Sequence, residues 1–208
     1  MRTLLVGDVH GCADPLQALL DAANPDLVVL LGDIFAKGPD PVGVWRIIQA
    51  YKARAILGNH DAKLLDVWDQ PGESRHHTCA RMLPPEARTW INRLPLSLGP
   101  EDLGVSGDWI AVHAGVHPTL GLPGTSRKQL LNLRRWPDDA DLDNPFWWQL
   151  YTGSQIVYYG HDAVRGLNVR DRTVGLDSGC MYGGRLSGII LETGHVLQVP
   201  GDPNGKPL

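Results

Sequence analysis

Little in this chain favours a covalent scaffold, a membrane or a strongly charged partner. Its three cysteines, Cys12, Cys79 and Cys180, are odd in number and lack metal-like spacing. That argues against a disulfide framework and predicts reduced thiols in a cytosolic protein. No stretch approaches the roughly 18 apolar residues that span a bilayer. The apolar part of the opening MRTLLVGDVHG is too short for a signal peptide, so a cytoplasmic protein with no membrane partner is expected. A net charge of −4 supplies no general attraction to polyanions, and no stable nucleic-acid partner is implied. Internal repeats and low-complexity blocks are absent as well.

What is there is a balanced globular composition, 43% apolar and 20% charged. A chain of 208 residues can bury a full core. The expectation is a single domain over 1–200 and a disordered tail over 201–208, where PGDPNGKPL has no apolar periodicity. Short apolar runs alternate with helical spacing in the first half: strands at Thr3–Val6, Leu27–Leu31 and Ala53–Leu57, helices at Asp14–Ala22 and Pro41–Ala50. That βαβαβ order predicts a parallel sheet with helices outside it. Asp61–Asp69 and Glu86–Arg93 also read as helices. The second half changes style, with strands predicted at Leu96–Leu98, Trp109–Val112, Gln155–Tyr159, Thr173–Leu176, Leu186–Glu192 and His195–Val199. Between them Ser126–Tyr151 is helical or irregular and rich in tryptophan. The fold class is therefore α/β, two packed sheets with helices on the outer faces.

The chemistry lies at the strand ends. The first strand runs into GDVHG (Gly7–Gly11), the second into Gly32-Asp33, the third into GNHD (Gly58–Asp61), and later ones into VHAG (His113) and YYGHDA (His161). Ligands of open α/β sheets gather beyond the carboxyl ends of strands. Asp8, His10, Asp33, Asn59, His60, His113 and His161 offer a mixed nitrogen and oxygen donor set suited to borderline divalent ions. They suffice for two ions sharing one aspartate, an arrangement that activates water for phosphoryl displacement. Singly, each feature has a plainer reading. Gly-Asp after a strand is a turn, a lone histidine is a hydrogen-bonded core residue, and GNHD caps a helix. Turns and caps do not explain their joint occurrence at successive strand ends.

In this order GDVHG, GDIFAKGP, GNHD, HAG and GH resemble the signature of the phosphoprotein phosphatase superfamily of metallophosphoesterases, over roughly Leu4 to Gly184. YGHDAVRGL and GLDSGCMYGG are similar to the bacterial symmetrical diadenosine tetraphosphatases, and more closely to the ApaH-like phosphatases. The resemblance implies a calcineurin-like central β-sandwich of two mixed sheets flanked by helices. It also implies two divalent metals, Mn2+ first, with Fe, Zn, Co or Mg as alternatives. Asp8 and His10 would bind one metal, Asp33 both, and Asn59, His113 and His161 the second. His60 would protonate the leaving oxygen, and the attacking group would be a metal-bridging hydroxide.

Departures bear on the substrate. Protein phosphatases of that superfamily carry Gly-Asp-x-x-Asp-Arg-Gly, whose second aspartate orients the catalytic histidine and whose arginine grips phosphate. Ala36 and Lys37 stand there in this chain. His60 thus needs another orienting partner or none, and Lys37 would hold phosphate as a point charge with less geometric selectivity. Lys37 is the feature associated with ApaH-like phosphatases. Its plainer reading is a solvated turn lysine. Arg134 and Arg135 are candidates for a second phosphate clamp or a solvated helix end, with Arg165 and Arg185 as alternatives. Asp177 either supports a metal residue or forms a turn. Trp136, Trp147, Trp148, Tyr151 and Tyr182 offer core filling or a stacking face for a base.

The expected function is a metal-dependent phosphatase acting broadly on nucleoside polyphosphates, RNA 5′ ends and phosphomonoesters. A serine/threonine or tyrosine phosphatase acting on phosphoprotein is the first alternative, and a dedicated diadenosine tetraphosphatase the second. A noncatalytic scaffold is disfavoured because no residue of the donor set is lost.

Overall fold

Alternation of side chains along the strands builds this molecule from two sheets outward. In the computed structural model, which describes residues 1–205, the chain runs β1 (Thr3–Val6), α1 (Ala13–Ala23), β2 (Leu27–Leu30), α2 (Pro41–Tyr51) and β3 (Arg54–Ala55). Three helices follow, α3 (Asn59–Val67), α4 (Arg75–Met82) and α5 (Pro85–Ile91). Then come β4 (Ser97–Leu98), α6 (Pro100–Leu103), β5 (Trp109–Val112), α7 (Arg127–Asn132) and β6 (Ile156–Tyr159). The chain continues through β7 (Asn168–Val169), β8 (Thr173–Gly175), β9 (Arg185–Ile190) and β10 (His195–Pro200). The first sheet has the order β10-β9-β1-β2-β3 and the second β4-β5-β6-β8-β7. Both are mixed: β1, β2 and β3 are parallel, as are β5, β6 and β8, and antiparallel strands complete each sheet.

Strands buried on both faces read as continuous apolar runs because every residue has an apolar neighbour. Leu4 and Val6 of β1, and Val28 and Leu30 of β2, enter the core beneath α1 and α2. Leu5, Val29 and Leu31 point the other way and meet Trp109, Ala111 and Tyr158 of the second sheet. Ile110, Val112, Val157 and Tyr159 form a third cluster with Leu130 of α7 and Trp147. The result is a helix–sheet–sheet–helix sandwich, with each fully buried aliphatic side chain contributing ~1.5–3 kcal/mol. Asp40 caps α2, accepting from Gly43 N at 2.7 Å, and Pro41 starts the helix.

Three differences from the expected elements have physical causes. The polar segment RHHTCARM carries no clear apolar period, yet it forms α4, started by the Ser74 hydroxyl accepting from His77 N. The third helix begins at Asn59, two residues early, because the Asp61 carboxylate takes the Gly58 and Ile34 amides and fixes the first turn. The last hairpin returns to the first sheet, where β9 pairs with β1. After β10, Gly201 N and Asp202 N donate to Gly184 O and Cys180 O. Residues 206–208 of the expected disordered tail lie outside the described residues. Among the described residues no helix is long and apolar enough to cross a membrane.

Candidate active site

The carboxyl ends of β1, β2, β3, β5 and β6 meet at one edge of the sandwich. Within four residues of its end each strand is followed by a residue of the expected donor set: Asp8 and His10, Asp33, Asn59, His113 and His161. Three of these are held in the left-handed region, His10 at φ 51°, Asp33 at 50° and His161 at 69°. Such backbone is costly for residues with a Cβ and concentrates at functional sites. Close approach of the turns demands glycine beside them. A Cβ on Gly32 (φ +90°) would lie 2.7 Å from the Gly58 backbone and from His113 Nδ1. One on Gly160 would lie 2.1 Å from Asp8 Oδ1.

Two clusters result, Asp8–His10–Asp33 and Asp33–His113–His161, with donor atoms in each within 4.8 Å of one another and Asp33 common to both. His10 Nε2 is 3.6 Å from Asp33 Oδ2, and His113 Nε2 is 3.5 Å from Asp33 Oδ1. Each imidazole has its other nitrogen engaged by a backbone carbonyl. His10 Nδ1 donates to Ala36 O at 2.9 Å, His113 Nδ1 to Leu31 O at 2.8 Å, and His161 Nε2 to Asn132 O at 3.1 Å. A carbonyl only accepts, so these contacts fix the tautomers and turn a lone pair of each ring inward. The Asn59 carboxamide oxygen lies 3.0 Å from His113 Nε2 and 3.1 Å from His161 Nδ1. With the carboxamide in this orientation acceptors face acceptors, an arrangement that a divalent cation would reconcile.

Electrostatics agree with that geometry. Burial raises the Asp33 carboxyl to about 7. It also raises Asp8 well above the usual carboxylate range, with help from Asp177 and Asp33. Burial lowers His113 to about 4 and His10 and His161 well below 6.5, the nearby Lys37 adding to the effect on His10 and His113 adding to that on His161. Neutral imidazoles offer lone pairs, and crowded buried carboxyls gain most from an added positive charge.

The remaining expected residues separate into different positions. His60 Nε2 faces the clusters, 4.0 Å from Asp33 Oδ2, while its amide donates to Asp33 Oδ1 at 2.8 Å. Lys37 adopts φ +88° and lines the 250 Å³ cavity over the clusters together with His60, Arg134, Arg135 and Asp177. Arg134 Nη2 donates to His161 O at 2.9 Å. Arg135 instead lays its guanidinium on Phe146, 4.3 Å from the ring centre, with Arg165 4.9 Å from the same ring. Arg185 is exposed on β9. Asp177 both forms a turn, accepting from Gly179 N at 3.1 Å, and raises the Asp8 carboxyl across the site. Trp147 is core, Trp148 stacks on Phe146, and Tyr182 lines the cavity. A larger cavity of 630 Å³, reaching Arg75 and Met82, adjoins the first through Lys37 and Tyr182.

Two residues escaped the sequence reading. Asp61, fully buried, ties α3 to the loop after β2. Its signal was an acidic residue at the third position of a helix. His76 of α4 places Nε2 2.9 Å from His60 Nδ1, a tertiary contact with no local signature.

A family model described as Calcineurin-like phosphoesterase matches residues 1–176. A symmetrical bis(5'-nucleosyl)-tetraphosphatase of Edwardsiella ictaluri is 27% identical over 278 aligned positions, covering 96% of this chain and 96% of the relative. That alignment is longer than the chain, so the relative carries segments missing here. A protein of the same name from Pectobacterium atrosepticum is 37% identical over 134 residues, 59% of this chain, which spans 46% of that relative. A solved structure provisionally described as a diadenosine tetraphosphatase superposes with a TM-score of 0.87 at 32% identity, over 98% of this chain and 95% of that one. A metallophosphoesterase from Sphaerobacter thermophilus shares the fold at a TM-score of 0.62 and 18% identity, over 97% and 89% of the two chains.

Proposed function

The chain belongs to the calcineurin-like phosphoesterases, hydrolases of phosphoester and phosphoanhydride bonds, and from that premise we propose that it acts with two divalent cations by direct attack of water, without a phosphoenzyme. The observation that carries this reading is Asp33, shared by two buried three-residue clusters. Asp8 and His10 would hold one cation, Asn59, His113 and His161 the other, and Asp33 both. Manganese suits this mixture of imidazole, carboxylate and carboxamide donors; iron, zinc, cobalt and magnesium are the alternatives. When bound, the pair supplies acidified water and charge neutralisation for an in-line phosphoryl displacement.

The protein's own groups do the rest. His60 presents Nε2 to the site and gives a proton to the departing oxygen, an effect typically worth ~10²–10⁴-fold. Lys37 and Arg134 hold the phosphoryl oxygens from the cavity walls. The larger cavity beyond Lys37 has room for a leaving group far bigger than phosphate. Relatives named for symmetrical bis(5'-nucleosyl)-tetraphosphate cleavage support nucleoside polyphosphates as substrates. The segments that this compact chain lacks relative to one of them favour a broader range, including RNA 5′ ends and phosphomonoesters. A cytoplasmic location belongs to the same proposal, since all three cysteines are free and buried.

The test is to strip the protein of metal, reconstitute it with manganese, and compare diadenosine tetraphosphate, capped RNA and a phosphotyrosine peptide. Turnover of at least the first two is expected. Negligible rates on all three would overturn the reading, and a single dominant substrate would replace breadth with specificity.

A further inference from the structure

Ala36 contributes only its backbone carbonyl to the site, to His10, and offers no polar side chain to His60. The contact comes from elsewhere. His60, second residue of α3, and His76, second residue of α4, lie with Nδ1 and Nε2 2.9 Å apart. Their rings are nearly parallel, at 14°, with centres 5.1 Å apart, so they meet edge to edge through this contact rather than face to face. His10 closes the other side edge-on, 5.3 Å away at 73°. The start of α4 is itself pinned, because Ser74 Oγ lies 2.7 Å from His77 Nδ1 and accepts from His77 N. His60 is thus clamped in one ring plane with Nε2 toward Asp33.

We infer that His76 is the positioning residue for His60, filling by an imidazole nitrogen the place that a carboxylate takes in relatives with an aspartate at the position of Ala36. The inference rests on the reading of His60 as proton donor. As the imidazolium, His60 carries a proton on each nitrogen; His76 Nε2 accepts from Nδ1–H, which keeps Nε2–H directed at the departing oxygen. Transfer of the Nε2 proton to that oxygen leaves a neutral His60 whose Nδ1–H stays on His76. His76 acts through the orientation of His60 alone.

The experiment uses the manganese-reconstituted full chain and two aryl phosphates. Phenyl phosphate has a basic leaving group that needs protonation, and p-nitrophenyl phosphate has one that does not. For His76→Leu the expected result is a loss in kcat of about tenfold or more on phenyl phosphate, less than about threefold on p-nitrophenyl phosphate, and an unchanged KM. His76→Gln, which carries a hydrogen-bonding atom to the same reach, recovers most of the loss. In a His60→Ala background His76→Leu adds nothing. In the metal-free protein, the His60 ring 15N signals move on His76→Leu and stay put on His77→Ala.

Equal losses on both substrates, an additive double variant or unmoved His60 signals would overturn the inference. An active His60→Ala enzyme would overturn the underlying reading instead. If His60→Ala is inactive while His76→Leu is unimpaired, only the inference falls. The ring signals decide the positioning even for a variant with no measurable turnover.

Discussion

His113 Nε2 lies 3.0 Å from the Asn59 carboxamide oxygen across 54 residues of sequence. Because His113 Nδ1 donates to Leu31 O, both facing atoms are acceptors, and Asp33 Oδ1 adds a third at 3.5 Å. Residues following three different strands are therefore held in a contact that is unfavourable by itself. The convergence is built into the fold: the glycine-tight turns and the left-handed His10, Asp33 and His161 hold these donor atoms together.

Removing the shared carboxylate should therefore differ from removing a ligand of one cluster. Asp33→Asn is expected to lower bound manganese from two ions per chain to nearly none, whereas His161→Ala retains one. Metal analysis after dialysis checks this, and equal stoichiometry in the two variants would refute the sharing.

Metal binding should release protons from carboxyls, not from imidazoles. The raised groups, Asp33 at about 7 and Asp177 at about 6, carry protons in the metal-free protein at mildly acidic pH. His113, lowered to about 4, carries none there. A cation entering below about pH 7 must displace the carboxyl protons, so affinity falls as pH falls from 7.5 to 5.5. Calorimetry in buffers of different ionisation heat should find proton release at pH 5.5 and little at pH 8. Release that does not change across this range would show that the carboxyls are already ionised.

Much of this architecture was legible in the sequence because it is local. The run Leu27–Leu31 reads as a doubly buried strand since Val28 and Leu30 face helices while Val29 and Leu31 face the second sheet. The strand-end motifs marked the residues that converge, because parallel strands all deliver their carboxyl ends to one edge. What stayed hidden depends on long-range packing. RHHTCARM has weak apolar periodicity, so neither α4 nor the His60–His76 contact could be read from it. The pair Arg134-Arg135 looks equivalent in sequence, yet one turns to His161 and the other to Phe146. The return of β9 beside β1 is a pairing between distant parts of the chain with no local mark.

Lys37 should show a trade between stability and activity. At φ +88° a lysine is strained by about 1–2 kcal/mol. Glycine removes that strain but costs ~0.5 kcal/mol of unfolded-chain entropy. In the metal-loaded protein Lys37→Gly is thus expected to gain about 1 kcal/mol, a melting temperature roughly 2–4 °C higher for a domain of this size. Its kcat/KM should fall at least about tenfold as the phosphate contact is lost. A thermal melt beside an assay decides it: lower stability with intact turnover would make Lys37 a structural turn residue.

The two adjacent arginines should separate in kinetics as they do in space. Arg134 reaches the wall of the site, donating to the His161 carbonyl and standing 3.7 Å from Asp162 through Nε. Its field also lowers the raised Asp33 carboxyl, which places its charge where phosphoryl oxygens would lie. Arg135 spends its guanidinium on the Phe146 face, so its charge is partly committed before substrate arrives. A charge-assisted contact is worth about 1.5–3 kcal/mol, so Arg134→Ala should cost about 10–100-fold in kcat/KM. Arg135→Ala should cost several-fold less and act chiefly by loosening the Phe146–Trp148 stack. Steady-state kinetics on diadenosine tetraphosphate with both variants checks the order. A larger loss from Arg135→Ala would move the clamp to the Phe146 side of the cavity.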